Sequence, residues 1–207
     1  MKKRWIAVLL AVLCLIGVGL RIWIVNRDNE PQISKTYSMN EVVPFEDDFF
    51  YEPDRLRSSY DIEVLSARVM TVEDYLDELG KTKEDLEKAK GGDIGISHVY
   101  ELKVHIRNHE KEQSEQGIYM TDIQLSTLDG FYQIDKELFN MLYPGGDPNA
   151  VGFRLRANSE MDVHLPFHVL DYVAERENLT VEKIKDKYTY LLLSMYPVKK
   201  MIEIIPE

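Results

Sequence analysis

The sequence predicts an all-β protein, an antiparallel sandwich with a short helical insertion, preceded by a single transmembrane helix. Three observations carry that expectation. About eight segments alternate apolar and polar residues with period two, as strands with one wet face do. Helix-capping signals are few and bracket only short stretches. One apolar run, residues 5–25, is broken only by Arg21 and follows Met1-Lys2-Lys3-Arg4.

As a helix, that run is ~31 Å long, about the hydrocarbon thickness of a bilayer. Lys2, Lys3 and Arg4 favour a cytoplasmic residue 1–4 segment, which places the C-terminal domain outside a cell membrane crossed once. Trp5 and Trp23, the two tryptophans, sit near the ends as interfacial anchors, and Arg21 lies where its stem reaches the outer interface. A cleaved secretory signal with its core at residues 5–16 and a small-residue site at Gly17-Val18-Gly19 is the competing reading. It would leave Arg21-Ile22-Trp23-Ile24-Val25 as an exposed apolar terminus, so the retained anchor is preferred. Lipid attachment at Cys14 is disfavoured by Leu13 before it. All three readings export the rest of the chain.

Residues 26–35 are polar, contain Pro31 and read as a short tether to a domain spanning 36–207. Residues 36–51 are too apolar for a stalk and read as an opening edge strand, with Pro44 suited to an edge. Their run Phe45-Glu46-Asp47-Asp48-Phe49-Phe50-Tyr51 has a docking motif as its alternative reading. Tyr60, Ile62 and Val64 face one way, but the apolar parity then shifts to Leu65, Ala67 and Val69. A β-bulge near Leu65-Ser66 keeps both sets on the core side. Thr71 caps a helix over residues 72–79, which Gly80 ends; Thr82 caps a second over 83–90, before Gly91-Gly92.

Tyr100, Leu102, Val104 and Ile106 alternate cleanly with Glu101, Lys103, His105 and Arg107. Tyr119, Thr121, Ile123 and Leu125 repeat the pattern, and Asp129-Gly130 signals a tight hairpin. Asp135 caps a helix over 136–142, stopped by Pro144-Gly145-Gly146. Val151, Phe153, Leu155 and Ala157 form the next strand, and Met161, Val163, Leu165, Phe167 and Val169 another. Thr180 starts a short helix through Lys185. Residues 188–196 are apolar on both faces and read as a central strand with its second face covered by a helix or loop; residues 201–205 close the chain. The expected core includes Tyr100, Leu102, Val104, Ile106, Phe153, Leu155, Phe167, Tyr190 and Leu192.

Charge divides sharply along the chain. Five of the 25 basic residues and none of the 36 acidic ones precede residue 28, leaving 20 basic against 36 acidic and a formal charge of −16. Such a domain is repelled by nucleic acid and by anionic lipid and wall polymers. Cys14, the single cysteine, lies in the apolar run, so the exported part holds no internal disulfide and no thiolate site. A disulfide-free exported domain of this size suits a bacterial, Gram-positive surface.

The chain resembles uncharacterised Gram-positive surface proteins in which an N-terminal anchor or lipobox precedes an immunoglobulin-like domain of unknown function. The likeness spans residues 36–207. It rests on the edge segment before Tyr60, Asp74-Tyr75-Leu76, Val104-His105-Ile106-Arg107-Asn108, Leu165-Pro166-Phe167 and Leu193-Ser194-Met195-Tyr196-Pro197-Val198-Lys199-Lys200. It implies an immunoglobulin-like sandwich and a surface location, with no activity or site residues to carry over.

Chemistry is sparse. His105 and His109, like His164 and His168, are four apart, but on strands that spacing spans ~13 Å, too wide for one metal ion. They read as solvent-facing strand histidines, and no metal or cofactor is expected. Ser126, Ser159 and Ser194 lack a nucleophile context, and HExxH is absent from the sequence, so no enzyme is expected. Lys199-Lys200 reads as a solvated strand edge. The expectation is a membrane-tethered module that binds another surface or membrane protein. Its alternative is a sensor or sequestering domain for a cationic ligand such as an antimicrobial peptide, motivated by the −16 exterior. The exposed face of the second short helix, Lys83, Glu84 and Glu87, is the candidate partner surface.

Overall fold

The computed structural model describes residues 2–26, 32–50, 57–92, 95–111, 117–128, 130–146 and 151–207. Met1–Gln32 and Ile33–Glu207 are separate compact units. The first holds one helix, α1 (Lys2–Asn26), on which Trp5, Arg21 and Trp23 are exposed. Among the described residues no helix is long and apolar enough to cross a membrane.

The second unit runs β1 (Ile33–Tyr37), β2 (Val43–Pro44), β3 (Tyr60–Thr71), α2 (Val72–Glu78), α3 (Lys83–Lys90) and β4 (Ile96–Asn108). It continues with β5 (Ile118–Tyr119), β6 (Gln124–Thr127), β7 (Gly130–Gln133), α4 (Lys136–Leu142), β8 (Gly152–Phe153) and β9 (Ser159–Leu170). Then come α5 (Asp171–Glu177), α6 (Val181–Lys185), β10 (Thr189–Ser194) and β11 (Val198–Ile204). Two main sheets, β1-β11-β10-β6-β7 and β2-β3-β4-β9, share one apolar core, and β5 pairs with β8 in a small ribbon. The pairing is antiparallel except for β1 with β11. Single bridges, Phe49 to Tyr196 and Ile134 to Phe167, join the two main sheets at their margins.

The long strands follow their side-chain period. Tyr60, Ile62, Val64, Ala67 and Val69 of β3 are buried, and the register against β4 slips between Val64 and Ser66, as the parity shift requires. Tyr100, Leu102, Val104 and Ile106 of β4 and Val163, Leu165, Phe167 and Val169 of β9 complete that face. Leu125, Leu191, Leu193, Ile202 and Ile204 meet them from the five-stranded sheet.

Local capping also holds. The Thr71 side chain accepts from Asp74 N, Thr82 forms a reciprocal box with Asp85, Asp135 accepts from Leu138 N, and Thr180 accepts from Lys183 N. Gly80 (φ 65°) follows α2 and Gly91 (φ 73°) caps α3, in the left-handed conformation that glycine adopts without a Cβ penalty. A second core lies beneath these insertions, where Val72, Tyr75 and Leu76 of α2, Leu86 of α3 and Leu138 of α4 close over Ile96 and Val99.

Several expectations are corrected. The chain enters the sheet at Ile33, inside the stretch read as tether, because Ile33 to Tyr37 pair in parallel with Val198 to Ile202; residues 27–31 lie outside the described residues. Residues 119–125 are not one strand. Tyr119 is 51% exposed while Ile118 and Met120 are buried, and a turn at Thr121-Asp122 separates β5 from β6. Phe153 and Tyr190 are half-buried rather than core: Phe153 belongs to a two-residue strand, and Tyr190 stands between Ser126 and Glu203. Strand β10 is central, as its two-faced pattern implies, but the helices pack on the other sheet, α2 on β3 and β4, α4 and α5 on β9. Helix α5 had no N-capping signal, since Leu170 stands at its N-cap without a side-chain hydrogen bond. The Asp129 half of the hairpin signal lies outside the described residues; β6 and β7 do pair across it.

Candidate functional site

The outward face of β3, β4 and β9 is a ladder of paired charges. Register places Asp61, Arg107 and Glu160 in one row, Glu63, His105 and Asp162 in the next, and Arg68 beside Glu101 further along. A basic column on β4 is thus flanked by carboxylates on both neighbours, an arrangement that stabilises cross-strand pairs. Arg107 Nε lies 3.2 Å from Glu160 and Lys103 Nζ 2.8 Å from Asp162. Asp162 is exposed, and its carboxyl is held below the usual range by hydrogen bonds from Lys103 and His105.

The four strand histidines are engaged rather than free in solvent. His105 Nδ1 lies 2.7 Å from Asp162, His109 Nε2 2.6 Å from Asp61, His164 Nδ1 3.2 Å from Glu101 and His168 Nδ1 3.4 Å from Asp135. Among the described residues no group of three or more histidine, cysteine or acidic side chains is placed to hold a metal ion.

Two buried carboxylates fasten the helices to this face. Glu101 is 3% exposed, and Arg68 Nε donates to it at 2.8 Å while reaching Glu78 of α2. Burial alone would raise the Glu101 pKa; His164 and Arg68 outweigh it and lower it. Asp135 caps α4 and receives Lys90 Nζ of α3 at 2.8 Å. Its burial also opposes ionisation, yet His168, Lys90 and the Leu138 amide hold its pKa at about 2. The Lys90 contact is the stronger by distance, since His168 sits at 3.4 Å.

That shift has a pH consequence. The folded pKa of Asp135 lies below its unfolded value near 3.8, so its contribution is complete above about pH 4 and vanishes as pH falls toward 2. The difference corresponds to about 2 kcal/mol. Asp135→Asn keeps a capping oxygen and discards the charge, so it should cost about 2 kcal/mol at pH 7 and only a small fraction of that at pH 2. Urea denaturation at both pH values checks this; no loss at either would place the role in capping alone, and an equal loss at both in packing.

A different arrangement meets the surface at β7. This strand ends the five-stranded sheet, and its continuation zips onto β9, where Ile134 bridges Phe167 and Asp135 N donates to Pro166 O. Upstream, β7 and α5 flank a groove of about 310 Å³, lined in part by Phe131, Gln133, Tyr172, Arg176 and Lys187. Phe131 is 58% and Tyr172 63% exposed. Exposed sheet edges are usually blunted by charge, proline or brevity. The other edges of the two main sheets have such devices: Lys35 on β1, Pro44 on a β2 of two residues, and Glu160, Asp162 and Pro166 on β9. Gly130-Phe131-Tyr132-Gln133 has no charge and no proline.

Residues 34–200 match the domain family described as a domain of unknown function, DUF5028. The chain belongs to that family. No curated protein and no solved structure matches it. The ends of the DUF5028 match are neighbours in space, since Ser34 pairs with Lys199 and Lys35 with Lys200, so the matched segment takes in nearly the whole two-sheet unit.

Within the DUF5028 domain, two sequence readings change. Lys200 is not a solvated edge: it is 0% exposed, and its Nζ donates to Pro44 O at 2.7 Å and Phe45 O at 3.1 Å and lies 2.6 Å from Glu46 and 2.7 Å from Asp48. The aromatic-acidic run is correspondingly structural, with Phe45 and Phe50 buried and Asp48 Oδ1 accepting from Val198 N; Tyr51 lies outside the described residues. On α3, Lys83 and Glu84 are exposed and Glu87 is partly covered. The helix is not a loose spacer, because Leu86 is fully buried and Lys90 reaches α4. The β7 groove escaped sequence reading because an edge exists only once strand order is known.

Proposed function

We propose that this chain is a membrane-tethered, extracytoplasmic, non-catalytic module that binds another surface or membrane protein by taking an extended segment of it along β7. The unblocked β7 edge beside exposed Phe131 and Tyr172 carries the reading. Main-chain pairing supplies affinity in strand addition, side-chain pockets supply selectivity, and exposed aromatics are frequent interface anchors. Arg176 and Lys187 line the groove but both pair with Glu177, which lines it too, so main-chain pairing and the aromatics rather than charge select the segment.

The apolar character of residues 5–25 and the Lys2-Lys3-Arg4 flank in the sequence support a transmembrane anchor. Placement in a Gram-positive envelope and an immunoglobulin-like kinship belong to the same proposal, as does the absence of nucleic-acid binding, which follows from the domain's −16 charge. The cationic-ligand alternative is weakened, because Asp61, Glu101, Glu160 and Asp162 are already engaged by basic neighbours.

Site-specific photo-crosslinking of the full-length chain in intact cells tests this reading. A photoreactive residue at Phe131 should give a discrete adduct that Tyr172→Ala removes. One at Glu84 reports on the α3 surface of Lys83, Glu84 and Glu87. Adducts from Glu84 alone would move the interface to α3, and adducts from neither site would overturn the module reading. Protease added outside the cells should digest residues 36–207, whereas a mature species starting near Leu20 in the medium would replace the anchor by a cleaved signal.

A further inference from the structure

We propose a second binding site, independent of the β7 edge: a cleft beneath α4 that takes the alkyl chain of a fatty-acid anion, with Arg154 at its mouth. The cleft has a volume of about 450 Å³ and is lined by Phe139, Leu142, Tyr143, Phe153, Met161 and Val163 among others. Both size and lining suit a small-molecule site, which is concave, mostly apolar and equipped with few polar groups.

Its origin lies in two glycines. A Cβ on Gly117 would stand 2.6 Å from Phe153 O, and one on Gly152 would stand 2.8 Å from Ile118 O. Only glycine lets β5 and β8 approach this closely, so β8 pairs with β5 while Met161 and Val163 of β9 contribute the cleft's opposite wall. The C-terminal part of α4 and the following Tyr143 supply further lining. A second cavity of about 340 Å³ shares Gly146, Gly152, Phe153 and Arg154 with the first, so open space continues past β8 on the side of Arg154.

Charge points to the head group. Arg154 lines both cavities and is exposed. Among the described residues it has no carboxylate partner, whereas Arg68, Arg107 and Arg176 are each paired. No acidic side chain is among the residues lining either cavity. An apolar slot with one guanidinium that no described carboxylate pairs matches a single alkyl chain ending in a carboxylate, to which Arg offers a bidentate fork. A neutral alcohol of equal length lacks the charged partner, and a nucleotide lacks the chain.

Dodecanoate and dodecanol, each below its micellar concentration, are the probes, titrated by calorimetry into the Ile33–Glu207 unit. That unit closes both cores with its own residues, and omitting α1 keeps detergent away from the cleft. Dodecanoate should bind saturably at one site, at least tenfold tighter than dodecanol. Arg154→Gln should weaken dodecanoate about tenfold and leave dodecanol unchanged, the loss expected for one charge-assisted contact. Leu142→Trp should fill the cleft and abolish binding of both, and Met161→Trp repeats the test if the first variant melts early. The proposal is overturned by the absence of saturable dodecanoate binding, by binding that survives a folded cleft-filling variant, or by equal affinity for acid and alcohol. None of these outcomes bears on capture at β7.

Discussion

Replacing Lys200 with methionine is expected to destabilise the folded domain by about 3–5 kcal/mol, the cost of breaking a buried ion pair from one side. Lys200 is the fully buried cation that joins β11 to the segment around β2, and four oxygens converge on its Nζ. Glu46 is 58% exposed and can return to water, but Asp48 is 5% exposed and would be left charged and uncompensated. Two carbonyl oxygens, of Pro44 and Phe45, would lose their donor as well. For a unit of this size, the loss lowers Tm by roughly 10 °C. Pairing the change with Asp48→Asn removes the stranded charge while keeping an oxygen for Val198 N, so the double variant should recover more than half of the loss. A double variant no more stable than Lys200→Met alone would assign the cost to packing instead. Burial alone would lower the Lys200 pKa, but Asp48 and Glu46 outweigh it and raise it. With the folded pKa above the unfolded one, the stabilisation is complete below the unfolded value near 10.5 and is lost as pH rises through the folded value.

What the sequence revealed and what it concealed divide by range. Caps are short-range: Thr71, Thr82, Asp135 and Thr180 each bond an amide three residues on, so spacing alone found their helices. Strand parity is also local, and the Val64–Ser66 slip was readable because the apolar phase changes there. Lys200 was misread because its partners stand more than 150 residues earlier. The partners of the strand histidines were hidden for the same reason: alternation fixes the outward face, not what the neighbouring strand places beside it. Helix α5 lacks a side-chain N-cap, and its local marks were only Asp171 in the first turn, Arg176 in the last and Asn178 at the C-cap. The β7 edge and the cleft under α4 depend on strand order and on the β5–β8 approach, neither of which has a counterpart in residue spacing.

Leu102→Ala is expected to cost about 2–5 kcal/mol, from lost burial together with the cavity left behind. Leu102 lies on β4 between Ala67 of β3 and Leu165 of β9, and it is fully buried. With alanine already at 67, the truncated site has little side chain on that flank with which to collapse, which places the cost in the upper half of the range. His105, three residues on, tests the opposite face. Alternation alone makes His105→Ala nearly neutral, but its side chain is 17% exposed, Nδ1 lies 2.7 Å from Asp162 and Nε2 3.4 Å from Glu160. The partners are open to water and can be resolvated, so the loss should be about 1 kcal/mol. Urea titration of both variants at pH 7 decides it. A clear excess for Leu102→Ala fixes the inward parity of β4, and equal losses would mean that the outer ladder contributes as much to the fold as the core beneath it.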